Sequence, residues 1–186
     1  MQSGLLKGSH DLVYFEPKLY EDNRGYFFER FNKEAFFKNT GSNLQLFQSN
    51  ESCSKKNVLR GLHYQLNKPQ AKLVTVLQGI ALDIVVDLRT NSSTFGQWFS
   101  IRLDSSLKNS LWIPRGYAHG FLSLSNNMIF SYMVDNSYDP ASEQTLIWND
   151  SSLKIDWGIE DPIISSKDAI GLTFNKAKKF DTLLAQ

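Results

Sequence analysis

Short apolar runs separated by turn-forming residues repeat along most of this chain, and this repetition constrains the fold more than any other feature of the sequence. From about Leu44 to Trp157, runs rich in Val, Ile, Leu, Phe and Trp alternate with turn signals such as Asn67-Lys68-Pro69, Gln78-Gly79 and Asp139-Pro140. Such spacing is typical of a sandwich or barrel of antiparallel strands. We therefore predict a mainly β, double-sheet jelly roll with a few short peripheral helices.

The domain organisation follows from chain length and periodicity. A chain of 186 residues buries about 70% of its unfolded surface in one core, so we predict a single domain over residues 1–186. Residues 32–39 and 177–184 are the best helix candidates. In the segment Ala81 to Leu88, strict alternation puts Asp83 and Asp87 on one face of a strand, and we expect that face to be wet or functional.

Charge and cysteine usage exclude several classes of protein. The 20 Lys plus Arg against 19 Asp plus Glu give a formal charge of +1, which provides no global field for binding nucleic acid. Cys53 is the only cysteine, so no internal disulfide forms and the cytoplasm is the expected location. No long uncharged apolar stretch is present to enter a membrane.

His63 is the most informative candidate for chemistry. An imidazole titrates near neutral pH, at about 6.5, and can accept a proton from carbon or oxygen. Arg60 and Lys72 nearby could bind a phosphorylated anion beside it, together with the polar run Gln48, Ser49 and Asn50. Strict alternation would place Arg60 and His63 on opposite faces, so this hypothesis requires a bulge, which Gly61 permits. The alternative is a solvated Arg60 and a hydrogen-bonded core His63.

Four further residues have open alternatives. His119 follows a Pro-x-Gly turn and either contacts a ligand or satisfies a backbone carbonyl. Tyr132 lies in an apolar run and is either a core residue or a proton donor. Tyr138, before Asp139-Pro140, can stack on a ligand or pack on the surface, and Asp168 can orient a histidine or cap a late helix.

Metal binding is not expected. Jelly rolls of the cupin type that bind metal often carry His-x-His plus Glu and a later His, whereas here position 65 is Gln65 and no second histidine stands at ligand spacing from His63 or His119.

Five separated blocks of sequence together resemble one known family. They are residues 22–29, 58–65, 70–74, 83–89 and 113–121, which read DNRGYFFE, VLRGLHYQ, QAKLV, DIVVDLR and IPRGYAHGF. In this order they resemble the dTDP-4-dehydrorhamnose 3,5-epimerases, small metal-free cupin-fold enzymes of nucleotide-sugar metabolism, and the resemblance runs from about Val13 to Asp168.

The resemblance implies a cofactor-free isomerase. Its substrate would be a dTDP-4-keto-6-deoxyhexose, whose ketone acidifies the hydrogens on both flanking carbons, C3 and C5. By the same resemblance, His63 is the general base, Asp168 orients it, Lys72 stabilises the enolate and Tyr132 is the acid on the opposite face. The product would be destined for deoxysugars of surface polysaccharide such as lipopolysaccharide.

The resemblance also implies binding residues and a homodimer. Arg24 and Arg60 would pair with the diphosphate, Tyr138 would stack on thymine, and Phe27 would reach the site of the neighbouring subunit. The other residues implied to contact the nucleotide sugar are Glu29, Gln48, Ser49, Asn50, His119, Glu143 and Lys167. A single-centre epimerase, a non-catalytic sugar-nucleotide-binding jelly roll and a metal-dependent oxygenase stay open as alternatives.

Overall fold

Strands dominate residues 2–181, the part of the chain that the computed structural model describes. In chain order they are β1 (Gln2–Leu5), β2 (Val13–Glu16), β3 (Tyr20–Asp22), β4 (Gly25–Phe27), β5 (Gln48–Ser54), β6 (Leu59–Gln65), β7 (Lys72–Gln78), β8 (Ile80–Asp87), β9 (Trp98–Asp104), β10 (Ser110–Ile113), β11 (Tyr117–Ser123), β12 (Met128–Val134) and β13 (Glu143–Thr145). The helices are α1 (Lys33–Thr40) and α2 (Ser166–Ala169).

Two antiparallel sheets form the body of the molecule. The six-stranded sheet has the order β1-β2-β10-β7-β12-β5 and the five-stranded sheet the order β13-β6-β11-β8-β9, while β3 and β4 form a separate hairpin. The sheets pack face to face, and the rings of Phe121 and Phe130 stack across the core with centroids 4.1 Å apart. The predicted double-sheet jelly roll is confirmed.

The outer face of the five-stranded sheet is buried as well. The segment after β13 crosses it and packs Leu153, Trp157 and Phe180 against Ile84 and Val86 of β8. Both faces of β8 are therefore inside the protein, which explains its nearly continuous apolar sequence.

Asp83 and Asp87 were expected to mark a face that is wet or functional, and the first alternative is wrong, because both are fully buried. They face the space between the two sheets, where Asp83 pairs with His119 and Asp87 with Arg89. Alternation placed them correctly on one face, but the same pattern arises whether that face meets water or a polar interior.

The predicted helix over residues 32–39 is confirmed as α1. Asn32 caps it by accepting a hydrogen bond from the Ala35 N–H at 3.0 Å, and Gly41 ends it with a left-handed φ of 70°. Its Phe36 packs edge-on against Trp112, with ring centroids 4.9 Å apart.

The predicted helix over residues 177–184 is wrong for its described part, residues 177–181; residues 182–184 lie outside the described residues. The chain leaves a turn at Ala177 and does not form a helix, and the Phe180 N–H donates to the Leu88 carbonyl at 3.0 Å. Sheet contacts override the local helical pattern. No helix within residues 2–181 has the length and apolarity needed to span a membrane.

Candidate active site

A bulge in β6 brings Arg60 and His63 onto the same face of the strand. His63 pairs with His119 of β11, but Arg60 pairs with Phe121, so the register shifts between them. Since His119 and Phe121 are two residues apart, they share a face, and their partners Arg60 and His63 share it too. Gly61 allows this with a φ of +106°, and a Cβ there would lie 2.6 Å from the His119 carbonyl oxygen. The predicted bulge is confirmed.

This face opens into a cavity of about 260 Å³ between the two sheets, close to the lower end of the volumes usual for small-molecule sites. Five strands and their adjoining loops line it: Gln48 and Asn50 from β5, His63, Tyr64 and Gln65 from β6, Gln70 and Lys72 at β7, Tyr132 from β12, Tyr138 after β12, and Glu143 from β13. Tyr64, Gln65 and Gln70 line the cavity but were not among the predicted site residues, because none of them lies in a pattern that singles it out from other polar or aromatic strand residues.

His63 and Asp168 form a hydrogen-bonded pair at the cavity wall. Nε2 of His63 lies 2.6 Å from Oδ1 of Asp168, and α2 supplies the aspartate, with Ser165 as its N-cap. Burial opposes ionisation of Asp168, but the hydrogen bond and charge of His63 outweigh it and lower its pKa. The carboxylate thus fixes the proton on Nε2 and leaves Nδ1 as the nitrogen that can accept one.

Tyr132 lines the same cavity from the opposite sheet. Burial raises the pKa of its phenol, with Glu143 adding to the rise and Arg60 opposing it. The phenol therefore keeps its proton at neutral pH and can donate it. A basic imidazole and an acidic phenol consequently face one compartment from two sides.

Lys72 and His119 lie deeper in the barrel. Burial lowers the pKa of Lys72 to about 8, although Asp83 and Glu143 act to raise it. His119 is buried, and its Nε2 lies 2.8 Å from Oδ2 of Asp83. Burial also lowers the pKa of His119, against the opposing effect of Asp83, so its imidazole is neutral at pH 7.

Three predicted binding residues meet at the cavity mouth. The Tyr138 hydroxyl donates to Oε2 of Glu143 at 2.7 Å, and Lys167 of α2 forms an ion pair with the same oxygen. Burial opposes ionisation of Glu143, but these two partners lower its pKa. Glu143 is therefore ionised, and its contacts connect Tyr138, in the loop after β12, with Lys167 in α2.

Strand alternation separates the three polar residues predicted on β5. Gln48 and Asn50 line the cavity, and the Gln48 amide donates to Oδ1 of Asn50 at 2.7 Å. Ser49, between them, is exposed on the opposite face. The guanidinium of Arg60 donates to Ser54 Oγ at 3.1 Å.

The remaining predicted residues lie apart from the cavity. Arg24, at the β3–β4 turn, pairs with Asp22 at 2.6 Å. Phe27 and Glu29 line a separate surface cleft with Lys18 and Tyr20, and Phe27 is 70% exposed. The fold of this chain does not bring Arg24, Phe27 or Glu29 to the cavity that His63 lines.

No group of three or more His, Cys, Asp or Glu side chains within residues 2–181 is arranged to hold a metal ion. Gln65, at the position of a possible ligand, instead donates to the carbonyl oxygens of Lys68 and Ser137 at 2.7 and 3.1 Å.

Comparison with known proteins identifies the family of this site. The family model for dTDP-4-dehydrorhamnose 3,5-epimerase matches residues 8–176. The chain belongs to this family. It is 44% identical over 171 residues to the dTDP-4-dehydrorhamnose 3,5-epimerase of Pseudomonas aeruginosa, covering 91% of this chain and 94% of that protein. It is 46% identical to the Methanothermobacter thermautotrophicus enzyme, covering 84% and 85%.

Solved structures of epimerases share the fold. A Legionella pneumophila dTDP-6-deoxy-D-glucose-3,5-epimerase in complex with dTDP-4-keto-L-rhamnose superposes with a TM-score of 0.92 at 37% identity, covering 98% of this chain and 100% of that one. A 3'-monoepimerase from Streptomyces bikiniensis in complex with dTDP-quinovose gives a TM-score of 0.86 at 30% identity, covering 92% and 88%. This epimerase is thus similar both to double-centre and to single-centre enzymes.

Proposed function

We propose that this epimerase inverts C3 and C5 of dTDP-4-dehydro-6-deoxy-D-glucose to give dTDP-4-dehydro-L-rhamnose. The observation that carries the proposal is the placement of His63 and Tyr132 on opposite sheets around one cavity. The Legionella relative with bound dTDP-4-keto-L-rhamnose supports the choice of substrate.

Proton abstraction is assigned to His63. Its Nδ1 takes the hydrogen from a carbon beside the ketone, and the electron pair of the broken C–H bond moves into an enolate on the sugar. Asp168 stabilises the imidazolium that forms, because its carboxylate accepts the Nε2–H at 2.6 Å. The pair returns to its resting state when the imidazolium gives its proton to solvent.

Lys72 and Tyr132 complete the reaction. The Lys72 ammonium stabilises negative charge on the enolate oxygen more than it stabilises the ketone, and so lowers the barrier. Tyr132 then gives its O–H proton to the carbon from the face opposite His63, which inverts the centre, and the phenolate left behind takes a proton from solvent. A second cycle at the other flanking carbon uses the same groups and no redox cofactor.

Binding is assigned to the polar wall and the mouth of the cavity. Arg60, Gln48, Asn50 and His119 would contact the diphosphate and sugar, Glu143 and Lys167 would contact the ligand at the mouth, and Tyr138 would stack on thymine. Ser49 would contribute through its backbone only, since its side chain faces away.

We further propose a cytoplasmic homodimer with shared sites. Arg24, Phe27 and Glu29 do not line the cavity of their own subunit, and they are exposed on or just after the β3–β4 hairpin. An aromatic ring that is 70% exposed gains stability when a second subunit covers it. Phe27 of the partner subunit would therefore close each cavity.

Deuterium incorporation tests the proposal. Incubation of the 4-keto sugar nucleotide with the protein in heavy water should add one deuterium at each flanking carbon, detected by mass spectrometry and NMR. One labelled carbon would favour the single-centre alternative. The similarity to the Streptomyces 3'-monoepimerase is the reason to test for it. No label at either carbon would refute the enzymatic assignment and favour a binding protein.

A further inference from the structure

Gln65 is a cavity residue to which the proposed reaction gives no role. It lies on β6 two residues after His63, and it is buried. Its amide nitrogen donates to the carbonyl oxygens of Lys68 at 2.7 Å and Ser137 at 3.1 Å, and its amide oxygen accepts the Asp139 N–H at 3.0 Å. Since both N–H groups are already engaged, Gln65 has no donor left for a ligand.

Two of these contacts clamp the backbone on both sides of Tyr138, in the loop after β12. The Gln65 amide donates to the residue before Tyr138 and accepts from the residue after it, as one residue of a parallel β ladder does. Two carbonyl groups and one N–H face this amide, so a group with two donors and one acceptor satisfies all three. Because both flanking peptide groups are held, the direction in which the Tyr138 side chain leaves the backbone is restricted as well.

The other end of the Tyr138 side chain is held by Glu143. The Tyr138 hydroxyl donates to Oε2 of Glu143 at 2.7 Å, and Glu143 is the register partner of Gln65 across β13 and β6. Two neighbouring residues of one sheet therefore hold one aromatic residue, the first by its backbone and the second by its hydroxyl. Tyr138 is nevertheless 52% exposed, which leaves ring surface open to a flat ligand.

We propose that Gln65 is a positioning residue for the nucleotide, which holds the loop after β12 so that Tyr138 is in place before the thymine base arrives. This inference rests on the proposed function, in which Tyr138 stacks on thymine. A loop that is already ordered loses less conformational entropy when a ligand binds, so the affinity is higher. Gln65 thus affects binding through Tyr138, and it takes no part in proton transfer by His63 and Tyr132.

The test compares Gln65→Met with a matched control, Gln78→Met. Methionine has an unbranched side chain of similar length but cannot form the hydrogen bonds of the amide. Gln78, exposed at the end of β7, also donates to a backbone carbonyl, that of Asn127 at 3.1 Å, but lies outside the cavity lining. Binding of dTDP is measured by isothermal titration calorimetry for the native protein and both variants, and kcat and KM are measured with the 4-keto sugar nucleotide.

Gln65→Met should weaken dTDP binding about fivefold and raise KM by a similar factor, because only part of the free protein then has the loop in place. Its kcat should stay within about twofold of the native value, since the strands that carry His63 and Tyr132 keep their own pairing. Gln78→Met should match the native protein in all three quantities. Native dTDP affinity in folded Gln65→Met, or a fall in kcat as large as the rise in KM, would overturn the inference.

A double-mutant cycle shows whether Gln65 acts through Tyr138 or touches the ligand itself. Tyr138→Ala should weaken dTDP binding about tenfold, and Gln65→Met added to Tyr138→Ala should weaken it no further. Losses that multiply in the double variant would mean that Gln65 contacts the nucleotide directly, and would overturn the inference.

Amide hydrogen exchange covers the case in which Gln65→Met does not fold. In the native protein without ligand, the Asp139 N–H should exchange at least about tenfold more slowly than an amide of an unfolded chain, because Gln65 Oε1 accepts it. Exchange at the unfolded rate would overturn the inference. Absence of dTDP binding in the native protein would instead refute the proposed function, and the Asp139 measurement, which needs no ligand, keeps the two failures distinguishable.

Discussion

Two histidine–aspartate pairs lie side by side in this molecule and have different surroundings. His63 and His119 are direct partners across β6 and β11, and each imidazole contacts an aspartate through Nε2, at 2.6 and 2.8 Å. The His63 side chain is 30% exposed and opens to the cavity, whereas His119 is 7% exposed and its Asp83 is fully buried.

The two pairs consist of the same residue types, so any difference in their roles comes from how far each pair is buried. The open imidazole can exchange a proton with a ligand and with water, while burial lowers the pKa of His119 and keeps its ring neutral. The His63 pair is suited to proton transfer, and the buried His119 pair to a fixed hydrogen bond behind it. The predictions below test this division.

The largest effect is expected from His63→Asn. Loss of the general base should lower kcat by about a thousandfold and remove deuterium exchange at both carbons, with native circular dichroism as the control for folding. Retention of exchange in this variant would mean that another group is the base.

The next largest effect is a loss of kcat/KM at alkaline pH. Burial lowers the pKa of Lys72 to about 8, so the ammonium is present below that pH and is lost as pH rises through it. The kcat/KM of the native protein should therefore fall about tenfold per unit above that point. Lys72→Met should be slow, by about a hundredfold, and lack this alkaline loss. An alkaline loss that persists in Lys72→Met would assign it to a different group.

His119→Asn should affect stability more than chemistry. It removes the hydrogen bond to Asp83 and leaves a buried carboxylate unpaired, which should cost about 1–3 kcal/mol in the free energy of unfolding, measured by denaturant titration. Its kcat should fall far less than that of His63→Asn. Equal losses of kcat in the two variants would contradict the division of roles.

The smallest effect is expected from Ser49→Ala. The Ser49 side chain is exposed on the outer face of β5, whereas its neighbour Asn50 lines the cavity. Ser49→Ala should leave KM within about twofold, and Asn50→Ala should raise it by about tenfold, since it loses a hydrogen bond to the ligand. A large rise in KM for Ser49→Ala would place its hydroxyl in the site.

Much of the site could be predicted from local sequence. Strict alternation puts Arg60 and His63 on opposite faces of β6. One bulge, which Gly61 permits, is enough to bring both side chains onto the same face. The same alternation would have removed Ser49 from the site, since it lies between Gln48 and Asn50 on a regular strand.

Other features depend on contacts that no local pattern encodes. The pattern at Asp83 and Asp87 predicts a wet or functional face and does not exclude water, because a polar interior and solvent produce the same period of two. Residues 177–181 read as helix, but pairing of Phe180 with Leu88 and Thr90 keeps them from forming one. Arg24, Phe27 and Glu29 do not line the cavity of their own chain, and in the proposed homodimer a second subunit would bring them to it.

The central claim is that a base and an acid address one sugar ring from opposite faces, and Tyr132→Phe in heavy water tests it most directly. His63 should still remove and return protons on its own face, so recovered substrate should gain deuterium at the flanking carbons without inversion, while formation of the epimer falls by about a hundredfold or more. Unchanged epimer formation in Tyr132→Phe, or loss of deuterium uptake together with it, would contradict the account.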